Sequence, residues 1–135
     1  MNVLKAELTS YRFPFARSLG HLKSDEPSAN EKSPIFLQFV EALWQLMLQY
    51  PRHFEFNERF LMYLLDEMYS CQFGTFLCNS DRDRELLKTI SPSIWHAVNH
   101  APEDFINPFY RESSRDVVLE PATDISNYKI WNEYY

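Results

Sequence analysis

Residues 33–80, SPIFLQFVEALWQLMLQYPRHFEFNERFLMYLLDEMYSCQFGTFLCNS, carry the strongest helical pattern in the chain. Ser33 is a good helix cap and Pro34 fits the first helical turn, so we expect a helix that begins there and ends before Pro51. Four polar residues recur at helical spacing and form a narrow polar stripe: Gln38, Glu41, Gln45 and Gln49. Almost every other position is apolar, which predicts a helix that protein covers on most sides.

The second half of this stretch predicts another helix, buried nearly all round. Asn57 can cap it, and residues 60–65 are six apolar residues without a break. Gly74 offers a C-terminal stop or a tight bend. Two helices of this kind need partners on several sides, and no strand pattern in the sequence supplies a sheet. The chain therefore has the character of one part of a larger core.

The downstream sequence predicts further short elements. Residues 80–88, SDRDRELLK, predict a short exposed helix, and the stretch SPSIWHAVNH predicts one capped by Ser91 or Ser93. Residues 116–121 predict a short extended segment, and the aromatic-rich residues 124–135 predict a last helix. The expected fold class is therefore mainly α.

Composition narrows the class of protein. The chain has 135 residues, of which 45% are hydrophobic and 16% aromatic, and this predicts one folded domain. The formal net charge is −6, which argues against non-specific nucleic-acid binding because that needs clustered Lys and Arg. The sequence has two cysteines, no signal peptide and no transmembrane segment, and it predicts a cytoplasmic chain with free thiols.

The segment CNSDRDR, residues 78–84, has the Cys-x5-Arg spacing of cysteine-dependent phosphatases. Such a loop needs a stabilised thiolate, backbone N–H groups that converge on phosphate, usually through Gly, and an arginine that binds the phosphate oxygens. This segment has no Gly, and its acids, Asp81 and Asp83, would repel a phosphate dianion. We expect a solvated surface segment and not a catalytic loop.

No other catalytic or metal-binding constellation emerges from the residues. His96 and His100 have the i, i+4 spacing of a helical zinc pair, but Ala97 stands where a zincin has Glu, and no third ligand is apparent. Surface or capping histidines are the expectation. Cys71 and Cys78 lie too far apart for a redox or zinc motif, so we expect buried free thiols. The residues predict no catalytic residue, metal or cofactor in this chain.

Several sequence blocks resemble the myotubularin family of phosphoinositide 3-phosphatases. The blocks SPIFLQF, FEFNERFL and YSCQFGTFLCNS stand in the family's order and spacing, and SIWHAV, NPFY and NYKIWNEYY fit its weaker C-terminal pattern. The resemblance covers about residues 11–135. It implies that residues 1–135 are a partial phosphatase domain, with an irregular lead-in and loop at 1–32 and a helical part at 33–135.

The resemblance implies a fold, an activity and a location. The family domain is an enlarged α/β cysteine-phosphatase fold, and this chain would be its helical C-terminal portion, with the sheet and the Cys-x5-Arg loop largely missing. The implied activity is removal of the 3-phosphate from phosphatidylinositol 3-phosphate and 3,5-bisphosphate. The implied partners are phosphoinositide lipids, bound through the complete domain, and a second family member in a homo- or heterodimer. The implied location is peripheral, at endosomal membranes.

One substrate-binding residue follows from the resemblance. The family carries an arginine shortly before a Gly-His pair, and it contributes to phosphate binding. Its match is Arg17, ahead of Gly20 and His21, although one extra residue separates them here. Three functional hypotheses remain at this point: a fragment of a lipid phosphatase that is inactive alone, a non-catalytic adaptor, and an independent phosphatase that uses Cys78 and Arg84.

Overall fold

A computed structural model describes Phe15 and residues 34–78, 80–87, 89–112 and 118–135. Within these ranges the chain is mostly helical and has no strand beyond one isolated antiparallel bridge, between Phe56 and Ile106. The α-helices are α1 (Ile35–Gln49), α2 (Glu58–Ser70), α3 (Gly74–Leu77), α4 (Asp81–Leu87) and α5 (Ile94–His100), and 3-10 turns follow at Pro102–Asp104 and Ile125–Asn127. The expectation of a mainly α chain is confirmed for this part.

Helix α1 forms where the sequence predicts it. It begins after Pro34 and ends at Gln49, so that Pro51 follows outside the helix. The predicted cap, Ser33, lies outside the described residues. The buried face of α1 consists of Phe36, Val40 and Trp44, which are spaced four residues apart and therefore lie on one side of the helix.

Helix α2 begins at a cap that also holds a distant loop. The Asn57 side-chain oxygen accepts a hydrogen bond from the backbone N–H of Phe60, at 3.1 Å, as the sequence predicts. The Asn57 amide group donates to the carbonyl oxygen of Asp104, at 2.9 Å. The cap thereby fixes the turn after α5 against the start of α2. Five residues of α2 are buried: Phe60, Leu61, Leu64, Leu65 and Met68.

Of the two roles expected for Gly74, a helix stop or a tight bend, the stop is wrong for α2. The left-handed residue after the helix is Cys71, with φ of 58°. Gly74 instead begins α3, where its backbone lies against Ser91, and a Cβ at this glycine would come within 3.3 Å of the Ser91 carbonyl oxygen. Gly74 is therefore needed for a close approach and not for a helix stop.

Helix α5 begins after Ser93, one of the two predicted caps, but the cap bond comes from elsewhere. The Ser93 side chain makes no cap hydrogen bond. The hydroxyl of Thr75, in α3, accepts from the backbone N–H of Ile94 at 3.1 Å and lies 3.2 Å from the Ser93 hydroxyl oxygen. A residue eighteen positions upstream thus caps α5 and joins it to α3.

The C-terminal residues 124–135 are not helical, which corrects the prediction of a last helix there. They hold the 3-10 turn Ile125–Asn127 and a hydrogen-bonded turn at 132–134, and they otherwise run over α1 and α2. Residues 118–123, part of which was expected to be extended, belong to no helix or strand. The Lys129 backbone pairs with Gln45 of α1, whereas other backbone N–H groups, such as those of Tyr128 and Tyr134, bond within short local turns. The physical reason for this irregular path is the burial of Trp131 against the helices, which outweighs the local helical preference.

A carboxylate between two indoles joins the chain end to the helices. The indole N–H groups of Trp44 and Trp131 both donate to one oxygen of Glu58, at 2.8 and 2.6 Å. The two rings stack with centroids 5.2 Å apart and planes 11° apart. Trp131 is fully buried. Three separate parts of the chain therefore meet at Glu58.

Phe15 packs against the helices. Its side chain is 3% exposed, and its ring makes edge contacts with Phe36 and Phe76, each with centroids 5.0 Å apart. The remainder of the predicted lead-in, residues 1–32, lies outside the described residues. In the part of the chain that the structure describes, no helix has the length and apolar character to cross a membrane.

The Glu58→Ala chain should lose about 3 kcal/mol of its free energy of unfolding, because two buried indole N–H groups lose a charged acceptor. Glu58→Gln keeps one acceptor oxygen and should lose less. Urea denaturation followed by far-UV circular dichroism measures both changes. Glu133→Ala, which removes an exposed carboxylate from the same C-terminal segment, is the control and should change stability by less than about 0.5 kcal/mol. A Glu58→Ala chain as stable as this control would contradict the assignment.

Candidate functional site

The Cys-x5-Arg segment is built around a buried thiol. Cys78 follows α3 and its side chain is buried. Burial raises the pKa of the Cys78 thiol, the nearby Asp83 carboxylate raises it further, and Arg84 lowers it by less than these two together. The thiol is therefore neutral near pH 7, whereas a nucleophilic cysteine needs a lowered pKa.

The arginine of this segment stabilises backbone carbonyl groups. Arg84 donates from Nε to the carbonyl oxygen of Thr75, at 3.1 Å, and from a terminal nitrogen to that of Cys78, at 3.2 Å. Its guanidinium also lies over the Phe15 ring, 5.8 Å from the centroid. Arg84 thus closes the C-terminal end of α3 and covers the anchored Phe15. These contacts aim the guanidinium at α3 and its flanks, which is a structural role.

Two residues between Cys78 and Arg84 cap helix α4. The Ser80 hydroxyl donates to the Asp83 carboxylate at 2.6 Å and accepts from the Asp83 backbone N–H at 3.2 Å. The Ser80 hydroxyl thus caps the start of α4, and the Asp83 carboxylate holds that hydroxyl in place. The expected short exposed helix is confirmed as α4. The local geometry agrees with the expectation that this segment is no phosphate cradle.

The structure does not bring the other residues singled out from the sequence together into one site. Arg17 lies outside the described residues, and its role in phosphate binding stays a prediction. Cys71 is exposed, which corrects the expectation of a buried thiol, because it occupies the left-handed position just after α2. His96 and His100 are both exposed on α5, as expected, and contact each other. Among the described residues no group of three or more His, Cys, Asp or Glu side chains could hold a metal ion.

The polar stripe of α1 is a docking surface that the sequence analysis missed. The Gln49 amide donates to the Ala122 carbonyl oxygen (3.2 Å) and accepts from the Ala122 N–H (2.8 Å). The Gln45 amide makes the same pair with Lys129, at 2.6 and 3.3 Å. The Glu41 carboxylate accepts from the Tyr128 hydroxyl. The stripe therefore binds the C-terminal segment through side-chain amides that pair with its backbone.

The only sequence signal for this surface was the stripe itself. Amide side chains spaced one helical turn apart on an otherwise apolar helix can pair with an extended backbone, but they can equally face water. The partner lies more than seventy residues downstream, so no local pattern links the two. A cavity of about 370 Å³ remains between the stripe and the segment and is bordered by Gln38 and Pro121.

A second cavity, of about 470 Å³, lies between α2 and α5. Its lining includes the charged residues Arg59, Asp66 and Asp104. Arg59 is paired with Asp104 at 3.1 Å, and both side chains are largely solvent-accessible. The cation of this cavity is therefore already neutralised locally. Neither cavity combines a nucleophile with a base or an anion-binding group.

The described residues contain no catalytic site. Comparison with known proteins nevertheless shows the family of the chain. The family model of the myotubularin-like phosphatase domain matches residues 1–85. The chain belongs to this family.

The relatives are considerably longer than this chain. It is 41% identical over 136 aligned residues to myotubularin of Rattus norvegicus and 39% identical to myotubularin of Xenopus laevis, in both cases over 98% of this chain and 22% of the relative. It is 41% identical to the phosphatidylinositol-3,5-bisphosphate 3-phosphatase MTMR2 of Bos taurus, over 98% of this chain and 21% of that enzyme. The chain thus spans about a fifth of the length of the curated relatives it matches, and those matches cover nearly all of it.

Docking of the C-terminal segment should depend on the amide side chains of the stripe. Gln45→Ala removes both hydrogen bonds to Lys129 and should increase hydrogen exchange at the Lys129 amide by about fivefold or more, as the free energy of local opening falls. Amide exchange measured by NMR checks this. Gln38→Ala, which changes an amide on the same stripe that does not bond Lys129, should leave that rate unchanged. Equal rates in the two variants would show that the amide pairs do not hold the segment.

The two cysteines should differ in reactivity. In the Cys78→Ser chain the exposed Cys71 should react with iodoacetamide, whereas in the Cys71→Ser chain Cys78 should react at least about tenfold more slowly at neutral pH. The raised pKa favours the protonated Cys78 in the fold, so its contribution to stability is present below the ordinary value of 9.0 and is lost as pH rises through the folded value. Labelling of Cys78 should increase over that range. In concentrated urea the two rates should become equal, and a fast Cys78 in the folded chain would contradict the burial.

Proposed function

We propose that this chain is the C-terminal part of a myotubularin-type lipid phosphatase domain, which removes the 3-phosphate of phosphatidylinositol 3-phosphate and 3,5-bisphosphate. The observation that carries the proposal is the 41% identity, over 98% of the chain, to a relative named as a phosphatidylinositol-3,5-bisphosphate 3-phosphatase. In this role the helices form a packed body behind the reacting site, and the chemistry belongs to the complete domain.

The nucleophile of this reaction lies outside the 135 residues. The sequence holds two cysteines, and the residue six places after Cys71 is Leu77, so only Cys78 and Arg84 have the required spacing. Cys78 is buried with a raised pKa, and Arg84 is bonded to backbone carbonyl groups. These facts disfavour an independent phosphatase built on this pair. The isolated chain should therefore show no turnover.

Arg17 contributes to binding of the substrate phosphate in this proposal. The support comes from its match to the family arginine that precedes a Gly-His pair, here Gly20 and His21. An arginine suits the task because its fork binds two phosphate oxygens at once.

The complete protein would act on phosphoinositide lipids in the cytoplasm, as a peripheral protein of endosomal membranes. Assembly as a homo- or heterodimer with a second family member belongs to the same proposal. Both statements rest on membership of the family. They require neither a cofactor nor nucleic acid.

A non-catalytic adaptor is the second candidate function. It is favoured by the closed packing around Phe60, Leu65 and Trp131, each with no measurable exposure, because such a core suits a chain that folds alone. The fragment is favoured by large apolar side chains in water, such as Ile90 and Val118, which are 80% and 84% exposed. Binding of the dye ANS by the folded chain would support the fragment, because it reports apolar surface left in water, and a cooperative thermal transition without ANS binding would support the adaptor.

A chimera tests the phosphatase proposal. Replacing the matching fifth of the bovine 3,5-bisphosphate 3-phosphatase with this chain should give an enzyme that releases phosphate from phosphatidylinositol 3,5-bisphosphate. In the chimera, Arg17→Ala should lower kcat/KM by about 10- to 100-fold, which is the effect of losing a charged hydrogen bond. Arg82→Ala, on the exposed surface of α4, and Cys78→Ser should leave kcat/KM unchanged. Loss of turnover in the Cys78→Ser chimera, with the fold intact by circular dichroism, would contradict the proposal.

A further inference from the structure

We infer that His96 and His100 form a two-histidine chelate on the outer face of α5 for a divalent transition metal that prefers imidazole, such as Zn²⁺, Ni²⁺ or Cu²⁺. Both side chains are exposed. Their rings lie with centroids 4.4 Å apart and planes 77° apart, and their Nε2 atoms are 3.1 Å apart. This site goes beyond the proposed phosphatase function and does not depend on it.

The spacing of the two nitrogens fits one metal ion. A metal–nitrogen bond to imidazole is about 2.0–2.1 Å long, so two nitrogens on one ion are about 3.3 Å apart at a tetrahedral angle and about 2.9 Å apart at a right angle. The 3.1 Å between the Nε2 atoms of His96 and His100 lies between these values. The 3.1 Å contact is a hydrogen bond between the two rings, so an ion takes the place of the shared proton and the rings turn to direct both lone pairs at it, and water completes its coordination.

The packing of α5 holds this face towards solvent. Ile94, Trp95 and Val98 are buried on the opposite side of the helix, with exposures of 0%, 6% and 0%. The helix therefore cannot rotate about its axis without exposing these side chains. Both imidazoles are presented on adjacent turns of a fixed helix, so much of the entropy cost of assembling the chelate is already met by the fold.

The sequence argued against a metal because catalytic and structural zinc sites need more than two protein ligands. A catalytic zinc site of the zincin type uses a Glu after the first His and a third protein ligand, and a structural site uses four ligands. A chelate needs only two nitrogens at the right separation, and this separation became visible only in the structure. The ion would link residues one helical turn apart and so stabilise the seven-residue helix α5.

Titration of the 135-residue chain with NiCl₂ in an isothermal calorimeter tests the site. The expected result is one ion per chain, with binding weakened about tenfold or more in both His96→Asn and His100→Asn, since each removes one of two ligands. Saturating Ni²⁺ should also raise the thermal midpoint of the parent chain and not that of His100→Asn. Zn²⁺ and Cu²⁺ should give the same pattern.

Two control variants test whether a histidine or a thiol outside α5 binds Ni²⁺. His21→Asn removes a histidine from the N-terminal region, and Cys71→Ser removes the exposed thiol; neither should change Ni²⁺ affinity. Circular dichroism of every variant shows whether the helices are kept. The inference is overturned if the parent chain binds no Ni²⁺ in a saturable way, or if His96→Asn and His100→Asn bind as tightly as the parent. Equal affinity in concentrated urea would also overturn it, because the nitrogen spacing exists only in the folded helix.

Discussion

The Glu58 carboxylate, shared by two indole N–H groups, is the constraint on which the rest of this structure depends. Trp44 comes from the buried face of α1, Glu58 begins α2, and Trp131 comes from the chain end. A carboxylate in a half-buried position is costly unless donors satisfy it, and the N–H groups of two stacked indoles do so. The direction of α1, the start of α2 and the path of the C-terminal segment are thereby fixed together.

The polar stripe of α1, which runs over three helical turns, also joins the chain end to a helix through hydrogen bonds. An extended segment leaves its backbone N–H and C=O groups without the partners that a helix or a sheet would provide. Gln49 and Gln45 each supply a donor and an acceptor to one residue of that segment. Side chains thus replace a neighbouring strand. Elsewhere in the aromatic-rich stretch, backbone N–H groups such as those of Tyr128 and Tyr134 bond within local turns, so these turns and the amide pairs together set its path along α1.

The segment CNSDRDR has the spacing of a cysteine-phosphatase motif, which agrees with the family but points to the wrong residues in this chain. The family is that of myotubularin-like phosphatases, and cysteine chemistry is what the resemblance implies for it. Within this chain, however, Cys78 is a buried, neutral thiol, and Arg84 binds the carbonyl groups of α3 while it covers Phe15. Asp83 completes a helix cap. Four residues of the motif have local structural partners, namely Cys78, Ser80, Asp83 and Arg84, and the spacing alone does not distinguish this from a phosphate cradle.

The sequence by itself determined what depends on local chemistry. The limits of α1, the Asn57 cap of α2, the exposed α4 and the unsuitability of CNSDRDR for phosphate all follow from neighbouring residues, and long blocks of sequence revealed the family. The tertiary structure alone decided what depends on residues far apart in the chain. It assigned the cap of α5 to Thr75, made Gly74 a contact for Ser91, turned the polar stripe into a docking surface and set the 3.1 Å between His96 and His100. The free energy of a residue's local helix preference is smaller than the free energy gained by burying a single indole. Packing therefore overrides local preferences wherever the two disagree.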